Sequence, residues 1–122
     1  MKIFLYFGAS DRSGLILEKL IKTHLPEVEM AVYRTIDNLA QSLRHPTENS
    51  DVAVLLVSNQ EDLKNILSIA HLFQNIRIIL LVPSKEAEIV ALAHRLRPRF
   101  LTDINTDLAE ITAVLKKMFK DQ

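Results

Sequence analysis

The chain has 122 residues, and 15 basic against 15 acidic side chains leave no formal net charge. That balance argues against a protein steered mainly to nucleic acid or anionic lipid, while leaving room for a local basic patch. With no cysteine there is neither a disulfide framework nor a thiolate metal site, and no apolar run approaches the ~20 residues of a membrane span. Met1-Lys2-Ile3 enters an apolar pattern at once, without the basic flank or cleavage signal of a secretory peptide. The expectation is a soluble, cytoplasmic, single domain over residues 1–122, within the commonest domain size of about 100–150 residues.

Residues 3–7 form an apolar run that ends at Gly8-Ala9-Ser10. From 11 to 25 the period changes, with Ile16, Leu17, Leu20 and Ile21 on one helical face and Glu18, Lys19 and Lys22 opposite. Pro26 stops that helix. Val28, Met30 and Val32 then alternate with Glu29, Ala31 and Tyr33, as in a half-buried edge strand. Thr35 is placed to cap a helix whose face is Ile36, Leu39, Ala40 and Leu43. The segment 45–50 is a turn-forming loop.

The run Asp51-Val-Ala-Val-Leu-Leu-Val-Ser58 is the centre of the pattern. It is uncharged from Val52 to Ser58 and short, as expected of a strand buried on both faces of a parallel sheet. A helix from about 60 to 74 follows, with Leu63, Ile66, Leu67, Ala70 and Phe73 inward. Then come an apolar strand over 76–82, a helix capped by Ser84 and reaching Leu96 (stripe Ile89, Leu92, Ala93, Leu96), and a short strand over 100–102. Thr106 or Asp107 caps a last helix with the stripe Leu108, Ile111, Thr112, Leu115, Met118 and Phe119. Strict alternation of strand and helix predicts a three-layer α/β/α sandwich around a five-stranded parallel sheet with right-handed crossovers. The first, third and fourth strands are the most apolar and belong inside, which gives the flavodoxin-like order 2-1-3-4-5.

Length, five βα units and element order resemble the receiver domain of bacterial response regulators over essentially the whole chain. Asp51-Val-Ala-Val-Leu-Leu is similar to the run that leads to that family's phosphorylated aspartate, Arg77-Ile-Ile-Leu-Leu-Val to its fourth strand, and Phe100-Leu-Thr-Asp to its fifth. The resemblance implies two acids ending the first strand and an aspartate ending the third, which bind magnesium and accept phosphate. The sequence has Phe7-Gly8-Ala9 and Leu56 or Val57 there. The family's Ser or Thr falls near Val82, with Ser84 close by, and its Lys falls on Asp103. Asp51 begins its strand and belongs to the opposite edge. The expectation is a degenerate pseudo-receiver: a non-catalytic signalling module, not phosphorylated, without cofactor or metal, acting on protein partners.

Other candidates stand beside that reading. Gly8, Ser10, Arg12, Ser13 and Gly14 lie in a loop between the first strand and a helix N-terminus. Such a loop either holds an anion, a nucleotide or a flavin phosphate on backbone N–H groups or is a tight capped turn. It lacks the spacing and lysine of a P-loop. Ser58, Ser84 and Asp103 are expected to gather at the carboxyl edge of the sheet as a small polar pocket or as separate caps. Arg95, Arg97 and Arg99 form the densest basic cluster, a docking patch for an acidic partner or phosphates, or a solvated helix end. His24, His45, His71 and His94 lack ligand spacing, and no G-x-S-x-G elbow exists. Ile69, Leu72, Val90 and Val114 exceed one helix face. They extend the core or form a contact surface, and the resemblance points to homodimerisation through the fourth helix, fifth strand and fifth helix.

Overall fold

The structure is a computed structural model that describes residues 1–8 and 11–120. Its elements run β1 (Lys2–Phe7), α1 (Asp11–His24), β2 (Glu29–Tyr33), α2 (Ile36–Leu43), β3 (Val52–Leu56), α3 (Gln60–Ser68), a 3-10 turn (Ala70–Phe73), β4 (Arg77–Val82), α4 (Ala87–His94), β5 (Phe100–Asp103) and α5 (Leu108–Lys120). The strands form one five-stranded parallel sheet in the order β2-β1-β3-β4-β5, the predicted arrangement. All of β3 is buried, whereas β2 and β5 are partly exposed along their length. The three most apolar runs therefore take the positions that cover them on both faces.

Side chains alternate across the sheet, and each face builds one core. Phe4, Tyr6, Ala53, Leu55, Ile78 and Leu80 pack with Leu39, Leu63, Ile66, Ile89 and Ala93 under α2, α3 and α4. On the other face Ile3, Leu5, Phe7, Val54, Leu56, Ile79 and Leu81 pack with Leu17, Ile21, Ile111 and Leu115 of α1 and α5. Two expected core residues lie outside: Ile16 is 47% and Phe119 38% exposed. Along α1 the buried line is Gly14, Leu17 and Ile21, continued by Leu25 just past its end, spaced three and four residues apart. Ile16 lies about 100° around the helix from Leu17, since 3.6 residues make a turn. Ile69, Leu72 and Val114 pack against the cores, as a deeper core requires.

Several boundaries differ from the sequence pattern. The third helix does not run to 74. It stops at Ser68, Ile69 leaves helical geometry at φ −110°, and the chain tightens into the 3-10 turn. The bonds Ile69 N–H to Ile66 O and Leu72 N–H to Ile69 O have the three-residue reach of that tighter coil. Ser84 is not the N-cap of α4. The N-cap is Glu86, whose side chain makes no capping bond, and Ser84 Oγ accepts the Glu86 N–H at 3.4 Å, two residues ahead of the cap. The caps at Thr35 (accepting from Asn38 N–H, 3.1 Å) and Asp107 (accepting from Ala109 N–H, 3.0 Å) form as expected. Asn75 (φ 69°) and Arg97 (φ 53°) hold left-handed backbone. Asparagine tolerates it, but for arginine it costs roughly 1–2 kcal/mol.

Candidate functional site

In open α/β sheets ligands gather outside the carboxyl ends of the strands. The register fixes what stands there: Phe7 lies beside Leu56, Leu56 beside Leu81, and Val82 beside Asp103. The ladder continues one residue further, since Val57 N–H donates to Leu81 O at 2.9 Å and Ile104 N–H to Val82 O at 2.8 Å. Leu56, Val57 and Val82 are fully buried. The three inner strands thus finish in hydrocarbon.

One cation lies over this end of β1. Arg34 follows β2, its Nε donates to Phe7 O at 2.7 Å and its Nη2 to Gly8 O at 3.1 Å. The guanidinium carbon stands 4.5 Å from the centroid of the Phe7 ring, a cation–π distance. Sequence reasoning did not single out Arg34. The signal was the register: pairing Tyr33 with Tyr6 sets the next residue, Arg34, beside Phe7.

A polar group forms on the α3 side. Tyr6 is 3% exposed and donates its hydroxyl to Asp62 Oδ1 at 2.7 Å. Asp62 Oδ2 accepts the Ser58 N–H at 3.1 Å, and Asp62 N–H donates to Asn59 Oδ1 at 2.8 Å, capping α3. Burial first, and the Asp62 carboxylate second, push the Tyr6 phenol above its ordinary range, so it stays a neutral donor. A shallow cleft of about 220 Å³ here is lined by Ser58, Asn59, Glu61, Asp62 and Asn65.

Ser58 and Ser84 follow β3 and β4 by two residues and Asp103 ends β5, so all three lie at this edge of neighbouring strands, but each is engaged locally. Ser58 lines the α3 cleft, Ser84 accepts from Glu86, and Asp103 Oδ1 accepts the Asn105 N–H at 3.0 Å. Of the first-loop group, Ser10 lies outside the described residues. Gly14 is not a loop residue, because α1 begins at Asp11 and takes in Arg12, Ser13 and Gly14. Gly14 packs on the Phe7 ring so closely that an added Cβ would sit 2.0 Å from Phe7 Cγ. It serves helix-to-strand contact there. Gly8 lies under the Tyr6 hydroxyl, which an added Cβ would approach to 2.9 Å.

Magnesium needs oxygen ligands, usually carboxylates and water. Phe7, Gly8, Leu56 and Val57 supply no carboxylate, and the Phe7 and Gly8 carbonyls already accept from a guanidinium. These residues do not fit the ion that the receiver resemblance implies. No group of three His, Asp or Glu side chains is placed to hold a metal among the described residues. Nor is any of their helices long and apolar enough to cross a membrane.

The opposite, amino-terminal edge is differently built. Asp51 is buried there and accepts the N–H groups of Lys2 (3.0 Å) and Glu48 (2.8 Å). The basic cluster divides. Arg95 is the C-cap of α4, whereas Arg97 and Arg99 line a cleft with Asn49, Asn75, Ile76, Arg77 and Ile78.

The sheet order and the five βα units define a flavodoxin-like α/β fold. Solved structures agree. A CheY-like response regulator receiver domain protein from Methanospirillum hungatei superposes with a TM-score of 0.71 at 9% identity, covering 99% of this chain and 98% of that one. A response regulator from Colwellia psychrerythraea gives 0.71 at 13% identity with the same coverage. A putative pilus assembly-related protein from Burkholderia pseudomallei gives 0.69 at 11% identity, over 97% of this chain and 88% of that one. No family model and no curated protein matches the sequence. At these identities the likeness establishes the fold.

Proposed function

We propose that this chain is a receiver-fold signalling module that works by protein contact, without catalysis and without phosphorylation of the usual aspartate. One observation carries the reading: the first and third strands end in Phe7-Gly8 and Leu56-Val57, under the Arg34 guanidinium. Phosphoryl transfer needs an acceptor oxygen and cations bridging the phosphate. Buried leucine and valine provide neither, and Asp103 puts an anion where receivers carry a lysine. The similarity of fold to proteins described as response regulators supports the signalling role.

For the contact surface we keep the face of α4, β5 and α5, where β5 is an open sheet edge with partly exposed side chains and where a second copy of the chain can pair. The rival reading, an anion or nucleotide held by the first loop, is weakened by the early start of α1 and by the packing of Gly14.

Incubation with acetyl phosphate and magnesium, followed by intact-mass measurement, tests the main reading. The mass is expected to stay unchanged. Stoichiometric gain of one phosphoryl group, mapped to Asp62, Asp103 or any other carboxylate, would refute it. Light scattering across a concentration series tests the surface, and a monomer at every concentration would remove self-association.

A further inference from the structure

We propose that the cleft at the amino-terminal edge of β4 and β5 binds a small phosphate-bearing ligand through Arg77, Arg97 and Arg99. The site goes beyond the signalling role and lies at the opposite end of the sheet from the carboxyl ends of the strands.

Three arginines and two asparagines, Asn49 and Asn75, line one cleft of about 330 Å³, and no carboxylate lines it. In a chain with no net charge, that is a strong local excess of positive charge. Arg97 and Arg99 are exposed, and neither guanidinium has a hydrogen-bond or ion-pair partner among the described residues. The nearby carboxylate of Asp51 is buried and committed to the N–H groups of Lys2 and Glu48.

The walls are held in place. Arg77 opens β4, is half-buried, and donates from Nη2 to Ser50 O at 2.7 Å. Arg99 is fixed through its backbone, whose N–H donates to Ile78 O at 2.7 Å. Arg97 ends the turn after α4 in left-handed backbone at φ 53°, and Asn75 opens the opposite wall in the same conformation at φ 69°. Helix ends of this kind ordinarily use glycine. Here the strained position carries a guanidinium that faces a cleft with two others.

The chemistry selects the ligand. Guanidinium forks recognise oxyanions by paired N–H···O bonds. Arg77 already donates from Nη2 to Ser50 O and adds mainly charge, but the forks of Arg97 and Arg99 alone present more donors than the two oxygens of one carboxylate can accept, whereas phosphoryl groups offer three terminal oxygens each. The volume lies at the small end of the range for small-molecule sites, about 300–1,000 Å³, which favours a compact ligand over a polymer.

The test is calorimetric titration of the full chain with inorganic pyrophosphate at low salt. Saturable binding is expected. Arg97→Gly and Arg99→Gln should each weaken it about tenfold or more. Arg95→Gln, which removes the same charge outside the cleft, should leave it within about twofold. Arg97→Gly also separates binding from folding, because it relieves the left-handed backbone: its Tm should not fall while its affinity does. No binding of pyrophosphate overturns the proposal. So does equal weakening by Arg95→Gln, which marks diffuse attraction, and so does binding of a polyglutamate peptide without pyrophosphate, which marks a protein dock.

Discussion

The Tyr6 hydroxyl donates to the Asp62 carboxylate at 2.7 Å, tying the second-last residue of β1 to the first turn of α3. Fifty-six residues separate them in sequence. The N–H of Ser58, in the connection between β3 and α3, donates to the other oxygen of the same carboxylate. The end of the sheet is therefore stitched by one anion that serves structure.

Tyr6→Phe removes the donor and leaves a half-exposed carboxylate that water reaches, so the expected loss is about 1 kcal/mol. The pH dependence is more diagnostic. Burial and Asp62 raise the phenol in the folded chain, while an unfolded tyrosine loses its proton near pH ~10. Above that pH the unfolded chain holds fewer protons than the folded one, and stability falls as pH rises. The contribution is fully present below about pH 10 and is lost on the way up to the folded-state value. Urea midpoints from about pH 8 to about pH 11 should fall more steeply for the parent than for Tyr6→Phe. Parallel curves would sink the assignment.

The sheet order was legible because it depends on how apolar each strand is, and Ala53-Val54-Leu55 differs plainly from Glu29-Met30-Ala31. The emptiness of the strand ends at Phe7 and Val57 was equally readable. Arg34 was not, because its role depends on which strand lies next to β1, a tertiary fact. The break at Ile69 escaped for a related reason: Ala70 and Phe73 keep helical spacing whether the coil is α or 3-10. The arginine cluster looked uniform in sequence, but Arg95 caps α4 outside the cleft, whereas Arg97, in left-handed backbone after the helix, and Arg99 line it.

Gly14→Ala should destabilise the chain although it lies within a helix. Alanine ordinarily gains ~0.5–1 kcal/mol over glycine there. The new methyl would meet the Phe7 ring at 2.0 Å, and overpacking of this kind costs roughly 1–3 kcal/mol. A double-mutant cycle isolates the cause. In a Phe7→Ala background the obstacle is gone, and Gly14→Ala should become neutral or stabilising. A loss of the same size in both backgrounds would place the cause elsewhere.

Leu17 and Ile16 are neighbours in sequence with opposite surroundings, at 0% and 47% exposed. Leu17→Ala opens a void between α1 and the sheet and should cost about 2–5 kcal/mol. Ile16→Ser should fall within about 0.5 kcal/mol of the parent. Denaturant titration of the two variants reads the helix face directly, and equal losses would mean that Ile16 is covered.

Asp51 tests the other edge. The residue is 6% exposed, and its carboxylate takes the N–H groups of Lys2 and Glu48, one on each oxygen. It therefore locks the start of β1 to the loop that feeds β3. Asp51→Ala leaves the Lys2 donor, at the start of β1, without its acceptor, and the loss of two charge-assisted bonds is expected to cost about 3 kcal/mol. Asp51→Asn keeps one acceptor oxygen and should cost about half as much, because its amide nitrogen cannot receive the second N–H. Amide exchange should quicken first at Lys2 and Glu48 and leave Ser58, beyond the far end of β3 and bonded to Asp62, protected. If Asp51→Ala keeps parental stability, or if protection is lost at Ser58 as early as at Lys2, the carboxylate is not the lock at this edge.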